Sequence, residues 1–176
     1  MKKPAVVMMS LWRNDARRQL LRRAQHLLDK SYSHLRFVWV VGDSQDKTHA
    51  MLQRVQQASG RDIQLLEVNT DIDDRLTRLS VTANYGLECV RETDDYLVIH
   101  ESDLTSPRNL IERFMAHAHA GRCPIAGWPT LTIPGRPPVF YDILAYSRDG
   151  RHFENEPPYH PVFRRDTPFE VDSVGS

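Results

Sequence analysis

The chain has 176 residues, 40% hydrophobic and 26% charged, which is enough to bury one sizeable core and short for two. Its 23 basic and 23 acidic side chains cancel to a formal net charge of zero, so no whole-molecule field argues for binding nucleic acid or a membrane surface. With 2 cysteines, Cys89 and Cys123, there is no disulfide framework, and no apolar run has the length of a signal or membrane-spanning segment. These features predict a single cytoplasmic domain over 1–176 with no stable membrane insertion.

Ala5 to Met9 is an apolar run followed by Trp12, Arg13, Asn14 and Asp15, and then Ala16, Leu20, Leu21, Ala24, Leu27 and Leu28 recur at helical spacing. Strand, loop and amphipathic helix follow from that pattern. Phe37 to Val41 starts a second such unit, with turn and cap chemistry in Gly42 to Asp46 and a helix carrying Ala50, Met51 and Val55. Ile63 to Val68 is a third strand. Leu76, Leu79, Ala83, Leu87 and Val90 then fall on one helical face, which predicts a buried stripe, and Tyr96 to His100 is a fourth strand.

Strands apolar throughout, alternating with amphipathic helices, imply an α/β fold with a mostly parallel sheet, helices on both faces and right-handed crossovers. Residues 1–106 would form this half. Beyond Pro107 a helix carries Leu110, Ile111, Phe114, Met115 and Ala118, after which prolines break the chain into a loop-rich part with short strands. Val139 to Tyr146 and Phe169 to Val174 are the expected late strands.

Ligands of an open parallel sheet bind beyond the carboxyl ends of its strands. Arg13, Asn14 and Asp15 follow the first strand, Asp43, Ser44 and Asp46 the second, and Glu101 and Asp103 the fourth. Two carboxylates this close repel unless a cation shares them, and oxygen ligands of this kind suit Mg2+ or Mn2+, which complete their shells with waters and phosphate oxygens. Asp46 reads as a helix cap, and Asp43 and Ser44 have the same turn-residue alternative. Arg17, Arg18, Arg22 and Arg23 read as a solvated helix face, and His117 and His119 as surface residues.

Three segments then resemble the GT-A glycosyltransferases, of family-2-like and mannosyltransferase-like type. Val38 to Thr48 is similar to their second-strand segment, Arg78 to Leu87 with Asn84-Tyr85-Gly86 to the helix before the metal strand, and Asp95 to Asp103 with Pro107 to their DxD strand. The order and spacing agree over about the first two thirds of the chain. Phe140-Tyr141-Asp142 and Phe169 to Gly175 are fainter likenesses. The resemblance implies transfer of a sugar from a metal-bound nucleoside diphosphate sugar to a hydroxyl on a glycan, lipid, protein or modified nucleobase. It assigns Asp103 to the metal, with Glu101 reaching the metal, its water or the ribose. Asp43, Ser44, Arg78, Asn84, Glu101 and Ser102 would line the nucleotide-sugar site. Asp172, with Glu170 and Asp142 behind it, would be the base of an inverting transfer. Glutamate replaces the first aspartate of the metal motif, and such enzymes usually continue past the position of Ser176, so an incomplete catalytic domain is one expectation. The rival readings are a metal-dependent phosphohydrolase or nuclease using the same carboxylates, and a non-catalytic nucleotide-sugar-binding module.

Overall fold

Residues apolar on both sides of a strand need cover on both faces, and the first unit of the structure supplies it for its first two strands, whereas Leu97 and Ile99 of the fourth are exposed. The protein is described by a computed structural model at residues 3–16, 19–122, 125, 130–131, 139–140, 146–148, 150–153 and 173–174. Four strands, β1 (Val6–Trp12), β2 (Leu35–Gly42), β3 (Ile63–Val68) and β4 (Tyr96–Ile99), pair in parallel in the order β3-β2-β1-β4. They alternate with helices α1 (Leu20–Leu28), α2 (Thr48–Ser59) and α3 (Arg75–Leu87), and α4 (Leu110–His119) follows. All eight residues of β2 are buried, as a central strand under two layers requires.

The crossovers β1-α1-β2 and β2-α2-β3 step in one direction, whereas β3-α3-β4 steps back past β1. Right-handed connections therefore put α1 and α2 on one face and α3 on the other. The order of the strands reverses between β1 and β4.

β1 extends through Trp12, three residues beyond the apolar run that announces it. Ser10, Leu11 and Trp12 continue the ladder with Trp39, Val40 and Val41, and the Trp12 ring meets Trp39 edge-on with centroids 5.7 Å apart. Conversely α1 starts at Leu20, so Ala16, expected in the helix, belongs to the preceding loop.

The face of α3 differs from its expected stripe. Leu76, Leu79 and Leu87 are exposed, while Thr82 and Gly86 are buried. The reason is distance: a Cβ on Gly86 would sit 2.5 Å from Met9 Sδ and 2.9 Å from Val40 Cγ2, and a Cβ on Gly42 would sit 2.8 Å from Thr82 Cγ2. The helix lies so near the sheet that only small residues fit beneath it. Val90, just past α3, does pack on the core formed by Val7, Met9, Val38, Val40 and Val68.

At the amino end of the sheet, Arg36 and Asp94 form a buried ion pair. Arg36 Nε donates to Asp94 Oδ1 at 2.9 Å, one Nη2 reaches both Asp94 Oδ2 and the Cys89 carbonyl, and Arg91 N–H donates to the same carboxylate at 2.7 Å. This ties the start of β2 to the turn that leads into β4.

The chain divides into two compact units, Met1–Ala116 and His117–Ser176. Among the described residues of the second, β5 (Thr130–Leu131) pairs antiparallel with β6 (Val139–Phe140), and β7 (Tyr146–Arg148) pairs antiparallel with β8 (Arg151–His152) and β9 (Ser173–Val174). The expected strand Val139 to Tyr146 is met at both ends, and Phe169 to Val174 at its last two residues, by these short pieces. The rest of each lies outside the described residues.

Gly86→Ala should lower stability by about 1–3 kcal/mol in urea unfolding, because α3 must lift off Met9 and Val40. Asp94→Ala should cost about 3–5 kcal/mol, since it strands a buried guanidinium. The Arg36 hydrogen bond holds the Asp94 carboxyl below its ordinary value of 3.8, so its contribution is present above that pH and lost as pH falls through the lowered value. Asp94→Ala should flatten that acid limb of the stability profile.

Candidate functional site

The reversal of strand order between β1 and β4 marks their carboxyl ends as the place where open α/β sheets bind ligands. Every loop leaving the sheet on that edge carries polar residues. Asn14 after β1, Asp43 after β2 and Asp71 after β3 hold positive φ angles of 49°, 44° and 52°, a conformation that costs a non-glycine residue unless its surroundings fix it.

The surroundings fix Asn14 and Asp43. Ser44 Oγ accepts from Asn14 N–H at 3.0 Å, and Asn14 Oδ1 accepts from Gln45 N–H at 2.9 Å. Thr48 Oγ1 accepts from Asp15 N–H at 2.7 Å and Ala16 N–H at 3.1 Å. Asp46 accepts from Ala16 N–H at 3.0 Å and from Thr48 N–H at 2.9 Å; the N-cap of α2 is Lys47, so Asp46, expected as the cap, stands one residue before it and makes an Asx-turn bond instead. The exits of β1 and β2 are thus one hydrogen-bonded unit.

Asp43 is held from the third loop. Thr70 donates its N–H to Oδ1 at 2.7 Å and its hydroxyl to Oδ2 at 2.8 Å, while Arg78 Nε on α3 stands 3.7 Å from Oδ2. The Thr70 backbone bond is the largest influence holding the Asp43 carboxyl below its ordinary range, and Thr70 Oγ1, Arg78 and Arg13 act in the same sense. Arg78 is itself braced, Nη1 donating to the Ile72 carbonyl at 2.8 Å. The structure therefore brings Asp43 and Arg78 together as a fixed carboxylate and guanidinium. Asn84 lies two turns further along α3 on its exposed surface.

Glu101, Ser102 and Asp103 follow β4. Glu101 and Asp103 are exposed and Ser102 is buried, and Leu104 N–H bonds back to the Glu101 carbonyl at 3.3 Å to close a turn. His100 underlies this loop: Nδ1 donates to the Glu101 carbonyl at 2.8 Å and Nε2 pairs with Ser106 Oγ at 2.8 Å. Burial pushes the imidazole below its ordinary value, which keeps it in this neutral tautomer at neutral pH.

Glu101 and Asp103 are the residues that would offer oxygen donors to a divalent ion at this loop. Among the described residues no group of three or more His, Cys, Asp or Glu side chains is placed to hold a metal. Two protein carboxylates fit an ion that takes the rest of its shell from water and a diphosphate, as Mg2+ and Mn2+ do, and do not fit a closed structural site. Asp142, Glu170 and Asp172 lie outside the described residues.

Sequence reasoning passed over Thr70, although it follows β3 in Asn69-Thr70-Asp71, where the strand-end rule would have found it. It also missed His26, Lys30 and Ser106. Their spacing carries no chemical signature, and only the fold brings them together.

The fold is thereby Rossmann-like and of the GT-A class. The sequence matches no family model and no curated protein. Among solved structures, Staphylococcus aureus TarS, a GT-A glycosyltransferase, superposes with a TM-score of 0.53 at 10% identity over 90% of this chain. This chain spans 26% of that one. No described helix is long and apolar enough to cross a membrane.

Thr70→Val should raise the Asp43 pKa, read from its side-chain carbon shift in an NMR titration, yet leave it below 3.8 because the backbone bond stays. The stability that Asp43 contributes, present above 3.8 and lost as pH falls through its lowered value, should shrink accordingly.

Proposed function

We propose that this protein transfers a sugar from a nucleoside diphosphate sugar to a hydroxyl acceptor, with Mn2+ or Mg2+ held at the loop after β4. What supports the reading is that Asp43, with Arg78 beside it, follows β2 while Glu101 and Asp103 follow β4, the two strands lying on opposite edges of β1. A nucleotide has the same division: a base and ribose at one end, a diphosphate at the other.

Asp43 offers a fixed carboxylate to donors on the base or ribose, and Arg78, oriented by Ile72, adds a guanidinium beside it. Ser44 and Asn84 extend that half. Asp103 would hold the metal, and Glu101, one methylene longer than aspartate, would reach the same ion, its water or the ribose, with Ser102 buried between them. The ion, when bound, supplies Lewis-acid stabilisation of the departing diphosphate. Asp172, with Glu170 and Asp142 as alternatives, is the proposed base for the acceptor hydroxyl. The likeness to TarS supports the general class of glycosyl transfer.

Incubation with uridine, guanosine and other nucleoside diphosphates, with and without Mn2+, tests this. Thermal stabilisation by a nucleotide only when metal is present is the expected result, and Asp103→Ala should abolish that metal dependence. Arg78→Ala should weaken nucleotide binding by about tenfold, the value of one charge-assisted hydrogen bond. No shift with any nucleotide would overturn the reading. Release of free phosphate or cleavage of a polynucleotide without sugar transfer would favour the phosphohydrolase or nuclease.

A further inference from the structure

Lys30 is 2% exposed at the carboxyl end of α1, an unusual location for an ammonium group. Its Nζ donates to the Ser106 carbonyl at 3.0 Å and lies 3.1 Å from His26 Nε2. That same nitrogen accepts the Ser106 N–H at 2.8 Å. His26 Nε2 is therefore an unprotonated acceptor, with the ring proton on Nδ1. Both peptide groups of Ser106 are gripped by two side chains one helical turn apart, and its hydroxyl meets His100 Nε2.

Neighbouring contacts make the end of α1 a rigid base. Arg61 donates to the Leu28 and Lys30 carbonyls at 2.7 and 2.9 Å, satisfying acceptors that a helix end otherwise leaves open. Arg108 Nε donates to the Asp29 carbonyl at 3.0 Å, and Ser31 returns its N–H to the Arg108 carbonyl at 3.0 Å. The loop from His100 to Arg108 is thus anchored at both ends: at the start by the β4 ladder, at the far end by α1.

We infer that His26 and Lys30 are positioning residues, which hold Ser106 so that the loop bearing Glu101, Ser102 and Asp103 presents its carboxylates in one arrangement. They touch neither carboxylate and act through Ser106 and His100. A buried lysine is costly to desolvate, and no carboxylate forms an ion pair with it among the described residues, so core packing alone gives no reason for it. Fixing the backbone of the turn that bears the acidic residues gives one, because a binding group is preorganised only when its supporting shell is held.

The role of that arrangement in metal binding rests on the proposed function; the holding of the loop does not. Hydrogen exchange of amides 101–106, with Mn2+ titrated in the presence of uridine diphosphate or whichever nucleoside diphosphate binds, separates the two. His26→Leu and Lys30→Met should each speed exchange at 101–106 by about tenfold, leave the amides of β2 protected, and weaken Mn2+ binding by a similar factor. His26→Gln, which keeps an acceptor for the Ser106 N–H, should restore most of both. Unchanged exchange in both disruptive variants would overturn the inference, as would faster exchange with unchanged Mn2+ affinity. If one variant fails to fold, the other decides by the same readings. Should the wild type bind no metal with any nucleotide, the functional reading falls, and the exchange data alone decide whether His26 and Lys30 hold the loop.

Discussion

The parallel ladders on both edges of β1 are the constraint from which the rest follows. Seven of its residues pair with β2 and four with β4, so the strand is fixed in register from two sides. Because β3-α3-β4 must return across β1 to reach its place, handedness sends α3 to the face opposite α1 and α2. In open α/β sheets a crevice at the carboxyl ends of the strands follows from helices that diverge where the strand order reverses, as it does here between β1 and β4. No side chain has to create that crevice. The connectivity does, and polar residues need only occur after the strands to line it.

They do more than line it, since their mutual hydrogen bonds hold strained backbone. Asn14 and Asp43 occupy left-handed conformations that neither would adopt at no cost in a free loop. Each is locked by a partner from a neighbouring loop, Ser44 for the first and Thr70 for the second. Side chains that satisfy one another across loops cannot all be free to turn toward a ligand. Ser44 spends its lone-pair capacity partly on Asn14, while Asp43, with four acceptor positions, retains room beyond its two bonds to Thr70. The same bonds that settle the fold therefore rank the candidate ligand groups.

The parallel sheet was legible because the evidence for it is local. Phe37 to Val41 is a continuous apolar run and Ile63 to Val68 an apolar-rich one, each bounded by turn residues, and such runs read as strands of a covered sheet. The position of Glu101 to Asp103 at an exit followed from general rules of connection, whereas the strand order β3-β2-β1-β4 was not among the expectations. What was not legible depends on separations. Thr82 and Gly86 become the buried face of α3 because the sheet is close, a fact absent from the 3-and-4 spacing of Leu76, Leu79 and Leu87. Likewise His26 and Ser106 are 80 positions apart in the chain, and their contact exists only once α1 and β4 flank β1.

The two halves of the candidate site are built in opposite ways, and that difference bears on how each would work. Asp43 is preorganised by bonds to its own oxygens, so its charge, orientation and partner are set before any ligand arrives. Glu101 and Asp103 instead project from a turn whose backbone is secured from beneath by His100 and Ser106 while the carboxylates face solvent. A rigid carboxylate suits recognition of fixed donors on a base or ribose. Solvated carboxylates on a secured backbone suit an ion that keeps part of its water and accepts phosphate oxygens from outside. Asp103 and Glu101 are then unequal for a simple reason of length: the shorter side chain stays where the backbone puts it, and the longer one can serve a second position.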